Sequence, residues 1–402
     1  MSRNLARSLS LILTVLIASV SSADSLKTQV NGFADDAANY IVTGAMKYEN
    51  EFHDHYLLGV KAVVDGISSA TPQNRYHDKT VTGLSGASRE ERRNKLGGFV
   101  GGYNSGTKTG LFEDTPDISD KRRVELSAFG SAEIDETTLG GGYMYSSEKN
   151  YLSNTVYGTL AQNFAMRNTT LAATYFHNFD TVESGDEAIG RAEDFPKPKD
   201  VDGVNIGLTQ TLSRRAIAQI VGSAIFQRGA LGDPERDMDV EYDGDEWRLD
   251  IERLPHRRAR YAASARVIHA LWAGSALEGG YRYYTDDWAI DSHTFTGEWR
   301  QYLAPWALLK LHARWYTQSE SDYTMMTARN GVDEFYTSAP AMQKFSSTLI
   351  GARIALIDHG NAIKGTHVTG GVGADDYTQT SREAVEDGYH AVIGRAYLAF
   401  AW

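Results

Sequence analysis

The chain closes on Arg395-Ala396-Tyr397-Leu398-Ala399-Phe400-Ala401-Trp402. Successive side chains of an extended strand point to opposite faces. Trp402, Phe400, Leu398 and Ala396 therefore share one face, and Ala401, Ala399, Tyr397 and Arg395 share the other. The first face is apolar and aromatic, and the second holds the polar groups. Such a strand has two homes. In a soluble sheet the apolar face is buried, whereas in a transmembrane barrel it meets lipid and the polar face lines the lumen.

The beginning of the chain favours the membrane. Arg3 and Arg7 bracket the approach to an almost unbroken apolar run from Leu9 to Val20, and Ser21-Ser22-Ala23 offers small residues for cleavage. These are the three parts of a secretory signal peptide. Residues 1–23 are read as a leader and 24–402 as one exported domain, since no Pro/Ser-rich linker divides it. No later stretch approaches the ~20 apolar residues of a membrane helix, so the exported chain is either periplasmic or crosses a membrane as strands. The closing aromatic resembles the final strand that the barrel-assembly machinery recognises. The expected location is thus the outer membrane of a Gram-negative bacterium, against lipid.

Composition removes other classes. There is no cysteine, which excludes disulfides, thiolate metal sites and c-type haem attachment. The formal charge is -12 and becomes two units more acidic without Arg3 and Arg7. With no basic run, nucleic acid is not an expected partner. The 22 Tyr and 38 Gly against 8 Pro suit a strand-rich chain with aromatic anchors.

The period of two recurs upstream. Thr348, Ile350, Ala352, Ile354 and Leu356 oppose Arg353; Ala307, Leu309, Leu311, Ala313 and Trp315 oppose Lys310, His312 and Arg314; Leu277, Gly279, Tyr281 and Tyr283 oppose Glu278 and Arg282; Val124, Leu126 and Ala128 oppose Arg123 and Glu125. Counting back from a periplasmic C-terminus, alternate connections are short: Asp358–Ala362, Ala304-Pro305, Trp272–Gly274, Ser213-Arg214, Met166–Asn168, Ile134–Thr137 and Glu49–His53. The long ones, roughly Gly66–Asp120, Thr181–Asp200, Gly229–Arg257, Gln318–Lys344 and Asp375–Asp387, all fall on the extracellular side. Fifteen strands are clear between Asn39 and Trp402, and even parity recruits Leu26–Phe33 as the sixteenth. The expected fold is an all-β, antiparallel up-and-down transmembrane barrel of about 16 strands, with 14 as the fallback count.

Several residue sets are candidates for function. Arg258, Arg260, Arg266, Arg282, Arg300, Lys310, Arg314, Arg353 and Arg395 point into the lumen, against Glu278 and Glu298. Such a strip attracts anions and repels cations, unless it is neutralised by acids of the loops or the first half, such as Asp65 and Glu125. Asp239, Glu241, Asp243, Asp245 and Asp250, with Gly244 in sixth place, follow the oxygen spacing of a calcium loop. The flanks do not read as helices and the twelfth residue is Asp instead of Glu, so a solvated acidic loop is the alternative. No other cofactor is expected. Ser292-His293 beside Asp286, Asp287 and Asp291 holds the residue types of a surface hydrolase, without a Gly-x-Ser-x-Gly or His-x-Ser-Asn pattern. His53 and His55 flank one acid and lack a third metal ligand.

Tyr281-Arg282-Tyr283-Tyr284-Thr285-Asp286-Asp287-Trp288-Ala289-Ile290-Asp291-Ser292-His293-Thr294 resembles the signature of an uncharacterised proteobacterial outer-membrane family, a domain of unknown function. Leu254–Tyr261 and Val63–Pro72 resemble two further motifs, with Ala289 and Thr71 standing where Gly and Ser are expected. The resemblance covers most of the mature chain and brings no catalytic residues. It implies an outer-membrane barrel often encoded near periplasmic flavin transferases and thioredoxin-like proteins. In physical terms the signature is a strand, an acidic turn and a return strand. Asp286 and Asp287 accept hydrogen bonds from Arg282 or Arg258, pinning the turn, and Trp288 sits at the interface belt.

The leading expectation is a diffusion channel for small solutes, anion-preferring through the basic strip and narrowed if Gly66–Asp120 folds inward. A plugged, non-conducting barrel that scaffolds periplasmic or surface partners is the second reading. A surface hydrolase using His293 is the third.

Overall fold

A computed structural model of the chain describes residues 24–35, 39–53, 55–71, 117–148, 150–183, 196–233, 237–242, 246–272, 274–325, 327–363, 366–381 and 389–402. The leader assigned to residues 1–23 and most of the Gly66–Asp120 connection lie outside them. The strands are β1 (Asp24–Asp35), β2 (Asn39–Phe52), β3 (Tyr56–Thr71), β4 (Asp117–Ile134), β5 (Thr137–Glu148), β6 (Tyr151–Phe164) and β7 (Thr169–Val182). Then come β8 (Lys197–Ser213), β9 (Ala216–Gly229), β10 (Asp237–Tyr242), β11 (Glu246–Ile251), β12 (Arg257–Ala270), β13 (Ser275–Asp286) and β14 (Asp291–Ala304). The last five are β15 (Ala307–Gln318), β16 (Thr327–Arg329), β17 (Phe345–Ile363), β18 (Thr366–Ser381) and β19 (Tyr389–Ala401).

Sixteen of these strands close into a barrel in chain order, and β1 seals it against β19 from Ser25↔Ala401 to Asp35↔Ala391. Every barrel neighbour is antiparallel, as the alternation of tight turns and longer connections requires. β1, which contains Leu26–Phe33, is the sixteenth, as parity demands. The tight turns at one end, with both termini, define a turn end; the longer connections define a loop end.

The wall is inverted relative to a soluble sheet. On β19, Val392 and Leu398 are 48% and 40% exposed, whereas Arg395 and Tyr397 between them face inward and are half-buried. The same face carries exposed Leu58, Leu126, Leu160, Ile220 and Ile350 around the barrel. An apolar exterior around a polar interior is the pattern that lipid imposes. The protein is an outer-membrane-type β-barrel.

Four inward aromatic rings lie flat against glycines directly opposite them on the next strand: Phe129 on Gly59, Tyr157 on Gly142, Phe176 on Gly203 and Tyr397 on Gly371. A Cβ on Gly203 would stand 2.1 Å from Phe176 Cζ, and one on Gly59 2.2 Å from Phe129 Cζ. The missing side chains let the rings fold onto the wall, the arrangement by which an aromatic covers a strand glycine.

Two expectations are corrected. β18 continues to Ser381, so Asp375, expected to open a surface connection, stands in the barrel wall. β10, β11 and β16 build a separate three-stranded sheet from two connections at the loop end, β10 antiparallel to β11 and parallel to β16. Met238, Val240, Ala328 and Tyr336 form its buried core.

Candidate functional site

The register of β14 to β19 sets cations side by side. Arg300 lies directly opposite Lys310, Lys310 opposite Arg353, Arg353 opposite Gly373, and Gly373 opposite Arg395. These four cations form one inward rung across five adjacent strands, which continues through Asn31 and Thr43 to the Asp65–Arg123 pair. The next rung toward the loop end holds the acids: Glu278 opposite Glu298, then His312, Gly351 and Asp375.

Pairing between the rungs is uneven. Arg300 bridges Glu298 and, at 2.7 Å, Glu278, so the two opposed carboxylates are held by one guanidinium. Arg266 approaches Glu278 at 3.6 Å. Asp375 has no exposed side-chain surface; its Oδ2 is 2.7 Å from Arg395 and 4.0 Å from Arg353, and its Oδ1 is 2.9 Å from His312 Nε2. A Cβ on Gly351 would fall 2.1 Å from Asp375 Oδ1, and one on Gly373 2.5 Å from the Arg353 shaft. These two glycines make the niche into which the acid and the arginine fit.

Among the described residues, the inward face from β12 to β19 carries the nine predicted cations against four carboxylates: Glu278, Asp286, Glu298 and Asp375. Lys310, Arg314 and Arg282 have no carboxylate partner among the described residues. Asp65 and Glu125, considered as counter-charges for the strip, are instead engaged by Arg123 at 2.6 Å and Lys61 at 2.8 Å. From β5 to β9 the inward wall is largely neutral, with Thr155, Thr174, Asn178, Asn205 and Ser223. The lumen is therefore basic from β12 to β19, largely neutral from β5 to β9 and mixed in charge from β1 to β4, where Lys47, Glu49, Lys61, Asp65, Arg123 and Glu125 pair with one another.

A second constellation surrounds the turn between β13 and β14. Asp286 Oδ2 accepts from Arg258 Nε at 3.0 Å, from Arg258 Nη2 and from Tyr284 OH at 2.6 Å. Its Oδ1 accepts from the backbone N–H groups of Trp288 and Ile290, both at 3.0 Å. Arg258 stacks 4.2 Å over the Trp288 ring, whose Nε1 donates to Arg257 O. Beyond the turn, Asp322 N donates to Trp288 O and Ser319 Oγ to Ala289 O. Tyr323 packs edge-on against Trp288. Burial, with Asp287, Asp322 and Glu334 nearby, pushes the Tyr323 hydroxyl above its ordinary pKa.

The profile of the family described as "Protein of unknown function (DUF3570)" matches residues 11–391. The chain belongs to this family. No curated protein matches it in sequence. Among solved structures it is similar to a bacterial polysaccharide outer membrane secretin, at TM-score 0.50 and 8% identity over 96% of this chain and 100% of that one. It also aligns with CdiB from Acinetobacter baumannii (TM-score 0.47, 9% identity, 96% of this chain, 61% of that one). A third alignment is with Pseudomonas aeruginosa OccK3 (OpdO) (TM-score 0.41, 11% identity, 94% and 95%).

The DUF3570 turn departs from expectation in three ways. Trp288 is 2% exposed, packed under Arg258 and not in a lipid belt. Arg282 does not reach the turn acids; its guanidinium lies 5.6 Å from the Tyr284 ring, and Asp287 is exposed. Ser292 is buried on the inward face, while His293 points outward and meets Tyr281 OH at 2.8 Å. Neighbours on one strand face opposite ways, so these two residues cannot act as a nucleophile–base pair.

In the same DUF3570 chain the described acids of the calcium-like spacing, Asp239, Glu241 and Asp250, do not share one face. Asp239 and Glu241 lie on β10, whereas Asp250 pairs with Met238 on the other face of the hairpin and binds Arg253 at 2.8 Å. Asp243 and Asp245 lie outside the described residues. His53 and His55 are exposed at the turn end. The residue that sequence reading missed is Asp375, hidden by its position after the last recognisable apolar alternation.

Proposed function

We propose that the protein is a diffusion channel of the outer membrane that favours small anions. The observation that carries this reading is the inward rung Arg300–Lys310–Arg353–Arg395, within a face where cations outnumber carboxylates. Barrels of sixteen strands are wide enough for an aqueous path. In a low-dielectric wall a one-sided row of positive charge concentrates anions and repels cations. The flat-lying aromatics support the same reading, since they keep large side chains out of the lumen.

A plugged barrel that docks a partner is the second reading. It is favoured by the inward apolar patch Phe33, Ile41, Leu349, Tyr377 and Ala391 on the loop side of the rung. Single-channel recording of the refolded mature chain under a KCl gradient separates the two. A steady conductance with an anion-selective reversal potential supports the channel. Silence from protein whose folding is verified by heat-modifiable gel mobility refutes it and leaves the docking barrel.

A further inference from the structure

We infer that the wall around Lys310, Arg314, Arg353 and Arg395 is a discrete binding site for a multivalent oxyanion of the phosphate class. This deepens the channel reading, and depends on it only for the route by which the anion arrives.

Charge pairing leaves a remainder at one place. Arg300 is occupied by Glu278 and Glu298. Arg353 and Arg395 share a single oxygen of Asp375. Lys310 faces Arg300 on one side and Arg353 on the other, and Arg314 stands four residues along the same strand. These four cations have one carboxylate between them among the described residues. Like charges directly opposite on neighbouring strands repel, and an anion seated between them converts that repulsion into binding.

The cations are also held in place from behind. Asp375, fully buried in the notch at Gly351, draws Arg395 and Arg353 toward one point, while the Arg353 shaft lies across Gly373. Both arginines keep about a third of their side-chain surface exposed, at 32% each. Arg353 Nε and Arg314 Nε are buried without a hydrogen-bond partner among the described residues, so no acceptor of the wall neutralises them. With strands ~4.8 Å apart, Lys310 to Arg395 spans ~14 Å of wall, room for a tetrahedral oxyanion or two joined ones. Guanidinium forks donate paired N–H bonds that match two oxygens of such a group, a geometry a halide cannot use. A local surplus of positive charge, four cations against one carboxylate, likewise favours a multivalent anion over chloride.

The test uses the full mature chain refolded in detergent, with inorganic pyrophosphate as the probe in isothermal titration and as a blocker of the KCl current. Pyrophosphate is expected to bind the parent in a chloride background, with Kd raised at least tenfold in Lys310→Gln and largely restored in Lys310→Arg. Arg314→Gln, expected to weaken binding in the same way, serves where Lys310→Gln does not fold. Unchanged pyrophosphate affinity in a folded Gln variant, or displacement by equimolar chloride, overturns the site. Binding without conductance keeps the site and removes the channel. Anion-selective conductance without pyrophosphate binding does the reverse.

Discussion

Replacing Asp375 by Asn removes the one charge that sits beneath Arg353 and Arg395 while preserving its shape. Two effects follow, with opposite signs. Breaking a fully buried ion pair costs about 3–5 kcal/mol, but here both guanidinia remain one-third exposed. Water reaches them, so the expected loss of folding stability is about 1–2 kcal/mol. Conduction moves the other way, because the rung becomes one unit more positive. An ion passing at ~6 Å feels that unit as about 0.7 kcal/mol at the dielectric of water, roughly threefold for each ion and, since anion and cation move oppositely, about a tenfold rise in the anion-to-cation permeability ratio. The assay is a reversal potential across a KCl gradient, read beside a urea midpoint for the same preparation. A folded Asp375→Asn variant with the parent's reversal potential would refute the assignment of selectivity to this rung. A shift toward cations would refute it more directly.

Three further outcomes are expected. Gly203→Ala drives Phe176 off the wall, since the new Cβ would lie 2.1 Å from its ring. It should cost about 1–3 kcal/mol of stability and lower conductance, and Gly203→Ala/Phe176→Ala should recover much of both in the same urea and bilayer measurements. Arg258→Ala leaves Asp286 charged and buried; a local loss of about 3–5 kcal/mol should expose the 286–291 turn and the 319–325 segment to limited proteolysis while the barrel stays folded. Ala289 has φ of +65°, a left-handed backbone that favours glycine. Ala289→Gly should therefore raise stability by about 0.5 kcal/mol, read as a slightly higher urea midpoint.

Strand number, order and lumen-facing parity were legible in the sequence because one physical signal, alternation against lipid, repeats in every strand. Leu277, Leu311, Ile350 and Leu398 fall outward and Arg282, Lys310, Arg353 and Arg395 inward as that signal requires. The signal ends where lipid ends. Asp375, Tyr377 and Gln379 belong to a strand that continues past the last apolar positions, so the acid beneath the arginines reads as loop in sequence.

Positions 239 and 241 illustrate a different ambiguity. Oxygen ligands at every second position suit a calcium loop, and alternate positions equally share one face of a strand, here the face opposite buried Met238 and Val240. Only the pairing of β10 with β16 separates the two, and those segments are far apart in the chain. Trp288 presents a related ambiguity. An aromatic near a strand end suggests an interface anchor, and its burial depends on Arg258 and Tyr323, which arrive from other connections.

The three-stranded sheet at the loop end has a consequence for how this chain tolerates change. Connections on a barrel rim are ordinarily independent, each free to lengthen or vanish without its neighbours noticing. Here the connection after β9 supplies two strands and the one after β15 supplies the third. Arg253 and Tyr336 exchange backbone hydrogen bonds across the same join. An insertion in either segment is thus felt by both, and the two must be inherited or exchanged as a unit.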